Sequence, residues 1–294
     1  MKKTVSGDVD FIKRMNHSKF SGIVHSTFNR TFNIYCFENG ELYTIACREI
    51  DNGPNTLIID VGNVSFMGIE VNDRVFVEND TFNIGNKLSV SLDHAARWES
   101  VIPTFPSNVE NLKQNVARMK DCIDMYGKGG GMKKHVLKQT PFEAEMSTML
   151  EKRKNLLLDE LVSNRMTNAL QHAVSLIGLG PGLTPSGDDF LSGLFTIFNM
   201  KNSPFYAKRS FCEDVLMNAK ALTNDISYMA MKKASNGKVR ESIICLLDSL
   251  IAGNEEDLIL SLNKVLNIGS SSGTDIAVGL VCGLEANIRA GGKL

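Results

Sequence analysis

The chain has 294 residues, of which 43% are hydrophobic and 22% are charged. This length and composition allow a large buried core and predict a globular protein of two domains. The 32 basic and 33 acidic residues give a formal net charge of −1. The chain therefore lacks the basic surface that a nucleic-acid partner requires, and we expect no such partner.

Targeting and metal-site signals are missing from the sequence. Residues 1–8 contain two lysines without an apolar run after them, so we expect no secretory signal, and no stretch has the length of a membrane span. The six cysteines are scattered without a CxxC pair, and the five histidines show no metal-ligand spacing. We expect a cytoplasmic protein without membrane attachment, zinc or a disulfide framework.

Short β-rich runs separated by turn signals fill the first third of the chain. Turn residues occur at 38–41, 51–54 and 83–86. This spacing predicts a small antiparallel β barrel or sandwich within an N-terminal domain of residues 1–104. The predicted strands are 32–37, 42–47, 57–61, 74–78 and 87–92.

The rest of the chain, residues 105–294, reads as an α-helical domain, so the fold class is α+β. Helix starts are predicted near Ser107, Pro141, Ser186, Phe205, Thr223, Lys238, Asn254 and Thr274. The Gly-rich and basic stretch 126–135 has two interpretations. It is a segment that folds over an anionic ligand, with Lys128, Lys133 or Lys134 supplying positive charge, or it is a solvated linker, which is the commoner use of such a composition.

The segment 178–189, GLGPGLTPSGDD, is the most informative part of the sequence. It combines four glycines, two hydroxyls and two carboxylates just before the apolar run 190–198. Such a loop places polar groups at the positive end of a buried helix, which suits an anion or a metal–anion pair. Ordinary capping explains part of it, because Ser186 and Asp189 have the spacing of a capping box.

Two nucleotide-binding templates fail on this loop. A Walker-type loop needs a lysine before its last Ser or Thr, and no lysine occurs between Lys154 and Lys201. A dinucleotide fingerprint needs a preceding strand, whereas residues 156–177 have helical spacing of their apolar residues. The loop therefore joins two helices.

Two more loops have similar chemistry. Residues 269–275 again place Gly, hydroxyl and Asp residues before an apolar helix, and residues 223–227 form a weaker third example. Each loop is either an ordinary helix cap or part of one shared site. We predict that the loops at 178–189 and 269–275 meet at one end of the helical domain, where grouped helix N-termini would attract an anion.

These three loops carry a resemblance to a known family. The strings GLGPGLTPSGDDFLSG, TNDIS and IGSSSGTDIAVGL, together with the turn at 51–55 and the segment 95–98, are similar to a bacterial family long catalogued as a domain of unknown function. That family includes the AllH-type subunit of oxamate carbamoyltransferase, which belongs to anaerobic allantoin degradation. The resemblance implies a transferase subunit that acts on a small anionic substrate with acyl-CoA-synthetase-like partner subunits.

Site roles follow from the residue types. We expect Thr184 and Ser186 to hydrogen-bond a phosphoryl or carboxylate oxygen, and Asp188 to be the catalytic residue that binds a metal or orients a substrate amide. Asp189 is expected to cap the helix beside the ligand. The other candidate ligand-binding residues are Gly180, Gly182, Ser272, Thr274 and Asp275.

Three function classes remain open at this point. The first is the carbamoyltransferase subunit implied by the resemblance, in which backbone amides of the loop stabilise the reacting phosphate and carbonyl oxygens. The second is a stand-alone Mg²⁺-dependent hydrolase of a phosphorylated or ribosylated small molecule, with Asp188, Asp189 and Asp275 around the cation. The third is a non-catalytic assembly or ligand-binding subunit. No cofactor is certain, and a Mg²⁺ requirement is left open.

Overall fold

The computed structural model describes residues 2–17, 19–78, 81–93, 95–134 and 140–292. The chain divides into two compact units, Met1–Ser100 and Val101–Leu294. In the described part, the first unit contains nine strands and one α-helix, and the second contains nine α-helices. The predicted α+β class is confirmed.

The first unit is a closed barrel. Its strands follow the order β5-β4-β3-β2-β6-β7-β8-β1-β9, and β5 also pairs with β1, so that eight strands complete a circle. The elements are β1 (Lys2–Asp8), α1 (Val9–His17), β2 (Ser21–Thr27), β3 (Thr31–Cys36), β4 (Leu42–Ala46), β5 (Thr56–Ile59), β6 (Arg74–Glu78), β7 (Thr81–Ile84), β8 (Leu88–Ser91) and β9 (Ala96–Trp98).

The barrel prediction is confirmed, and the pairing adds a detail. Most neighbouring strands are antiparallel, but β4 pairs with β5 in parallel, and β1 pairs in parallel with β8 and β9. The hairpins between consecutive antiparallel strands follow from local turn residues, and β4 and β5 are also close in the chain, whereas the parallel pairing of β1 with β8 and β9 joins distant segments and depends on barrel closure. Strand β1 has only a weak alternation of polar and apolar residues, which is why the pattern of residues 2–8 does not predict it.

Aromatic side chains fill the barrel core. Phe11 of α1 lies with its ring centroid 4.5 Å from that of Tyr43, and it also contacts Phe20 and Phe82. Phe11, Phe20, Tyr43 and Phe82 are all buried. Burial of side chains of this size contributes about 1.5–3 kcal/mol each, so α1 belongs to the barrel core although the sequence pattern does not predict it.

The second unit is a helical bundle around a fully buried helix. Its helices are α2 (Glu110–Tyr126), α3 (Pro141–Val162), α4 (Met166–Leu176), α5 (Ser186–Phe198), α6 (Ser210–Ala219), α7 (Asp225–Ser235), α8 (Glu241–Ala252), α9 (Glu255–Leu266) and α10 (Ser272–Ala290). Every residue of α5 is buried. Helix α4 is not predicted as a separate helix, because the break between α3 and α4 depends on Asn164, whose φ is +58°.

Helices α5 and α10 run side by side in the same direction, and glycines bring their backbones together. A Cβ at Gly193 would lie 2.2 Å from the carbonyl oxygen of Ile276, and one at Gly279 would lie 2.1 Å from that of Phe190. Only glycine permits this approach. Because the helices are parallel, their N-termini lie at the same end of the unit.

Other expectations concern absences. Among the described residues, none of the helices combines the length and the apolar character that a bilayer crossing needs. The described ranges also contain no cluster of three or more His, Cys, Asp or Glu side chains that could hold a metal ion.

Candidate functional site

The loops before α5 and α10 meet, as predicted. The hydroxyl of Thr184, in the first loop, lies 2.8 Å from the hydroxyl of Ser272, at the start of α10. This contact joins residues 88 positions apart in the chain. The packing of α5 against α10 therefore assembles one site from the two loops.

Asp189 lies beneath this hydroxyl pair. Its side chain is only 6% exposed, and burial raises its pKa to about 7, against the opposing effect of the nearby Ser272 and Thr184 hydroxyls. The negative charge of Asp275 adds a smaller upward effect. Burial favours the uncharged form because the carboxylate loses its water, so Asp189 is close to half protonated at neutral pH.

Asp275, in the first turn of α10, is the second buried carboxyl group. It is fully buried, and its Oδ1 accepts a hydrogen bond of 2.6 Å from the backbone amide of Met132. Burial again raises the pKa, here to about 6, while the Met132 hydrogen bond opposes the shift. We call Asp189 and Asp275 the carboxyl pair.

Three buried oxygens around the carboxyl pair have no hydrogen-bond partner among the described residues. They are Ser186 Oγ, Asp189 Oδ2 and Asp275 Oδ2; the hydroxyls of Ser186 and Ser271 nevertheless lie close enough to Asp275 to lower its pKa, as those of Ser272 and Thr184 do for Asp189. Buried polar atoms in native proteins are nearly always satisfied by protein, water or a ligand, and leaving one unsatisfied costs about 1–3 kcal/mol. This group of unpaired oxygens is the strongest indication of a ligand site in the described part of the chain.

The Gly-rich segment between α2 and α3 lies against Asp275 and Ser186. We call residues 127–134 the glycine strap. Its Lys128 amide donates to Thr274 Oγ1 at 2.9 Å, and a Cβ at Gly131 would lie 2.4 Å from both carboxylate oxygens of Asp275 and 2.5 Å from Ser186 Oγ. The interpretation of this segment as a solvated linker is therefore wrong for residues 127–134. Residues 135–139 lie outside the described residues.

The lysines of the strap fix its shape. Lys128 Nζ donates to the carbonyl of Gly269 at 3.1 Å, and Lys133 Nζ donates to the carbonyls of Ile123, Asp124 and Gly127 at 2.7–3.0 Å. The Lys133 ammonium thus caps the C-terminus of α2, where the Ile123 carbonyl also accepts from the Gly127 amide. Lys134 forms an ion pair with Glu151 at 2.7 Å. All three lysines have protein partners.

Asp188 has a different environment from Asp189. Its Oδ1 accepts from the amide of Gly178 at 2.8 Å, and its Oδ2 accepts from the Thr223 hydroxyl. Burial raises the pKa of Asp188, whereas these two hydrogen bonds lower it. Asp188 therefore braces the first loop against the third one, and both carboxylate oxygens have partners.

The third loop also contacts the first through Asn224. Its side-chain amide donates to the carbonyl of Leu183 at 2.7 Å, and its oxygen accepts from the amides of Ile226 and Ser227 at 3.0 and 3.1 Å. Asn224 is thus the N-cap of α7 and a clamp on the exposed end of the first loop.

Two capping expectations are wrong. The N-cap position of α5 is Pro185, which has no side-chain capping bond, so Ser186 and Asp189 do not form a capping box. Ser271 occupies the N-cap position of α10, also without a side-chain bond. The side chains of Ser186 and Asp189 lie instead near the strap and the start of α10. In the loop before α5, Gly180 and Gly182 have φ of +117° and +95°, a backbone conformation that favours glycine.

The assignment of Asp188 as the catalytic residue stays a prediction, and the contacts favour Asp189 in its place. Gly131 and Met132, which the prediction of site residues omits, lie against Asp275. The run of three glycines at 129–131 is the sequence signal that could have indicated them, because such a run permits close approach of the backbone.

The chain is thus a two-unit protein, with a β barrel in the first unit and a helical second unit that contains the carboxyl pair. Residues 3–97 match the family model described as the AllH family N-terminal domain, and residues 176–284 match the one described as oxamate carbamoyltransferase subunit AllH. The two matches together span more than half of the chain, and the chain belongs to the AllH family. No solved structure matches it.

The second match contains all three loops of the site, and the glycine strap lies outside both matches. The family description names a subunit, in agreement with the expectation that the chain acts with partner subunits.

Proposed function

We propose that this chain supplies the carboxyl pair and the surrounding loops as the substrate site of an oxamate carbamoyltransferase in allantoin catabolism. The observation that carries the proposal is the group of unpaired buried oxygens at Ser186, Asp189 and Asp275. Oxamate and its carbamoylated product both present N–H groups, and unpaired carboxylate oxygens are acceptors for such groups.

The anionic end of the substrate would bind to a different group of residues, the loop before α5. No described residue accepts a hydrogen bond from the backbone amides of Gly180 and Gly182, and both lie in the loop at the N-terminus of α5. The parallel dipoles of α5 and α10 add positive potential at that end. The loop amides and the Thr184 and Ser272 hydroxyls would thus hold a carboxylate or phosphate.

Carbamoyl transfer requires proton transfer at the oxamate nitrogen. As this nitrogen forms its bond to the carbamoyl carbon, the bond from that carbon to the phosphate oxygen breaks, and one amide proton must leave. Asp189, with a pKa of about 7, is suited to accept that proton and to return it in the reverse direction. Inorganic phosphate leaves with the electron pair of the broken bond.

The test compares matched Asp→Asn variants in the reconstituted complex. Asp189→Asn and Asp275→Asn should each lower kcat for oxalurate phosphorolysis by about 10²–10⁴-fold, the usual contribution of a general base. Asp257→Asn is the control, because Asp257 is also a first-turn carboxylate but lies on α9. Gel filtration of each complex checks that the subunits still assemble.

Other outcomes separate the alternatives. Normal turnover in both variants would show that the chain is a non-catalytic subunit. Turnover of phosphate esters or ribosides by the isolated chain with Mg²⁺, lost in the same variants, would favour the stand-alone hydrolase. The proposed transferase subunit shows neither behaviour.

A further inference from the structure

A cavity lies behind the glycine strap. It has a volume of about 600 Å³ and lies between α2, α3 and α10, with Met132, Lys133 and Lys134 of the strap in its wall. Cavities of this size usually hold ligands as large as a nucleotide, and inorganic phosphate or carbamoyl phosphate would fill only a small part of it. The strap thus separates two sites, with the Met132 amide bonded to Asp275 on one side.

The floor of this cavity is apolar. Leu158, Val278, Val281 and Cys282 contribute to the lining, and burial raises the pKa of the Cys282 thiol to about 11. The thiol is therefore uncharged at neutral pH and behaves as a small apolar group. An apolar body would fit against this surface.

The charges above the floor are unbalanced around Cys282. Lys120, Lys154 and Arg289 lie close enough to act on the thiol, together with the single carboxylate of Glu285. Lys120 and Glu285 neutralise each other in an ion pair of 2.7 Å. The side chains of Lys154 and Arg289 have no hydrogen-bond or ion-pair partner among the described residues, although Lys154 is close enough to Glu151 to lower the pKa of that carboxyl group.

The other charged side chains of the cavity lining do not fully neutralise Lys154 and Arg289. Glu151 is paired with Lys134, and Lys133 keeps its charge while its ammonium contacts carbonyl groups. The two remaining acids of the lining, Asp124 and Asp159, are solvent-exposed, as is Arg289, whereas Lys154 is half-buried, and water and salt screen the exposed charges of both signs. With five basic and four acidic side chains in its lining, the cavity combines apolar residues with a net positive charge.

We propose that this cavity binds an organic phosphate of about nucleotide size, with Lys154 and Arg289 contacting the phosphates and the apolar body resting on Leu158, Val278 and Val281. The proposal does not depend on carbamoyl transfer, because the cavity and its charges are separate from the carboxyl pair. A ligand there would also touch Met132 and so reach the strap that covers Asp275.

The experiment measures binding to the purified full-length chain by isothermal titration calorimetry at 50 mM salt. Three probes are compared. ADP carries both the phosphates and the body of the proposed ligand, pyrophosphate carries only the anion, and adenosine carries only the body. We expect ADP to bind at least tenfold more tightly than either of the other two. Lys154→Gln and Arg289→Gln should each weaken ADP binding about 5–10-fold, since each removes one charge-assisted hydrogen bond.

Lys152→Gln is the matched control, because Lys152 is an exposed residue of the same helix as Lys154 but does not line the cavity. It should leave ADP affinity unchanged. Failure of ADP to saturate the chain at millimolar concentration would overturn the proposal, as would equal affinities in the wild type and both cavity variants. Pyrophosphate binding as tight as that of ADP would refute the role of the apolar floor.

Discussion

We expect Asp189→Asn to raise the free energy of unfolding of the isolated chain at alkaline pH, although it lowers the turnover of the complex. The ordinary pKa of an Asp is 3.8, and in the folded chain that of Asp189 is about 7. Between these values the folded state binds more protons than the unfolded state, so the free energy of unfolding falls as the pH rises. At about 1.4 kcal/mol per pH unit, the loss attributable to Asp189 reaches a limit of about 4 kcal/mol above pH 7.

An Asn side chain has nearly the same shape and no charge to bury. We expect Asp189→Asn to raise the free energy of unfolding by about 2 kcal/mol at pH 8, since the Asn amide also gives up one acceptor and so recovers only part of the limit. At pH 4 the wild-type carboxyl is protonated in the folded state, and the two proteins should differ little. Urea denaturation followed by circular dichroism at 222 nm reports on the helical unit.

Asp188→Asn is the internal control, because the same substitution one position earlier should have the opposite effect. Burial also raises the pKa of Asp188, but its two oxygens accept hydrogen bonds from Gly178 and Thr223, and an Asn amide would face a donor at one of them, a loss that outweighs the gain from removing the charge. A loss of about 1–2 kcal/mol at pH 8 is expected. If Asp189→Asn changes stability equally at pH 4 and pH 8, or destabilises at pH 8 as Asp188→Asn does, the burial argument for Asp189 is wrong.

Three further outcomes are expected. Gly131→Ala should displace the glycine strap, because its Cβ would lie 2.4 Å from the Asp275 carboxylate. Turnover by the complex should then fall at least tenfold. Gly62→Ala, at a position with open space, is the control and should leave turnover unchanged. Asn224→Ala should lower the free energy of unfolding by about 1 kcal/mol through loss of the α7 cap, measured by urea denaturation, and an unchanged value would remove Asn224 as a clamp. For the complex, kcat for oxamate carbamoylation should rise with pH to a plateau above about pH 7 as Asp189 loses its proton, and kcat for oxalurate phosphorolysis, in which Asp189 donates that proton, should fall over the same range; flat profiles from pH 5.5 to 8 in both directions would contradict its role.

The carboxyl pair and the glycine strap suggest how the site and its cover are related. In the structure, Gly131 fills the space next to Asp275 and Ser186, so a substrate that reaches these oxygens must move the strap. Two backbone hydrogen bonds join the strap to the site: the amides of Lys128 and Met132 donate to Thr274 and Asp275. A substrate that presents N–H donors of its own could replace these amides.

The sequence by itself determined the class of the fold and indicated the two loops of the candidate site. Turn residues and short β-rich runs indicated a barrel, and the apolar spacing of the second half indicated helices. The loops at 178–189 and 269–275 stood out because Gly, Thr, Ser and Asp residues are rarely concentrated before an apolar helix without a ligand or a cap. Their predicted meeting is confirmed by the contact between Thr184 and Ser272.

Only the tertiary structure decided what each Asp contacts and what covers the pair. Successive residues of a helix point about 100° apart, so Asp188 and Asp189 have the same local sequence and different neighbours. Which of them faces α10 depends on the close approach of Gly193 and Gly279, which joins segments distant in the chain. The conformation of the strap also depends on tertiary contacts. Its composition permits a solvated linker, and only packing against Thr274 and Asp275, which are distant in the chain, sets where it lies. Strand β1 also follows this rule, because its partners exist only once the barrel closes.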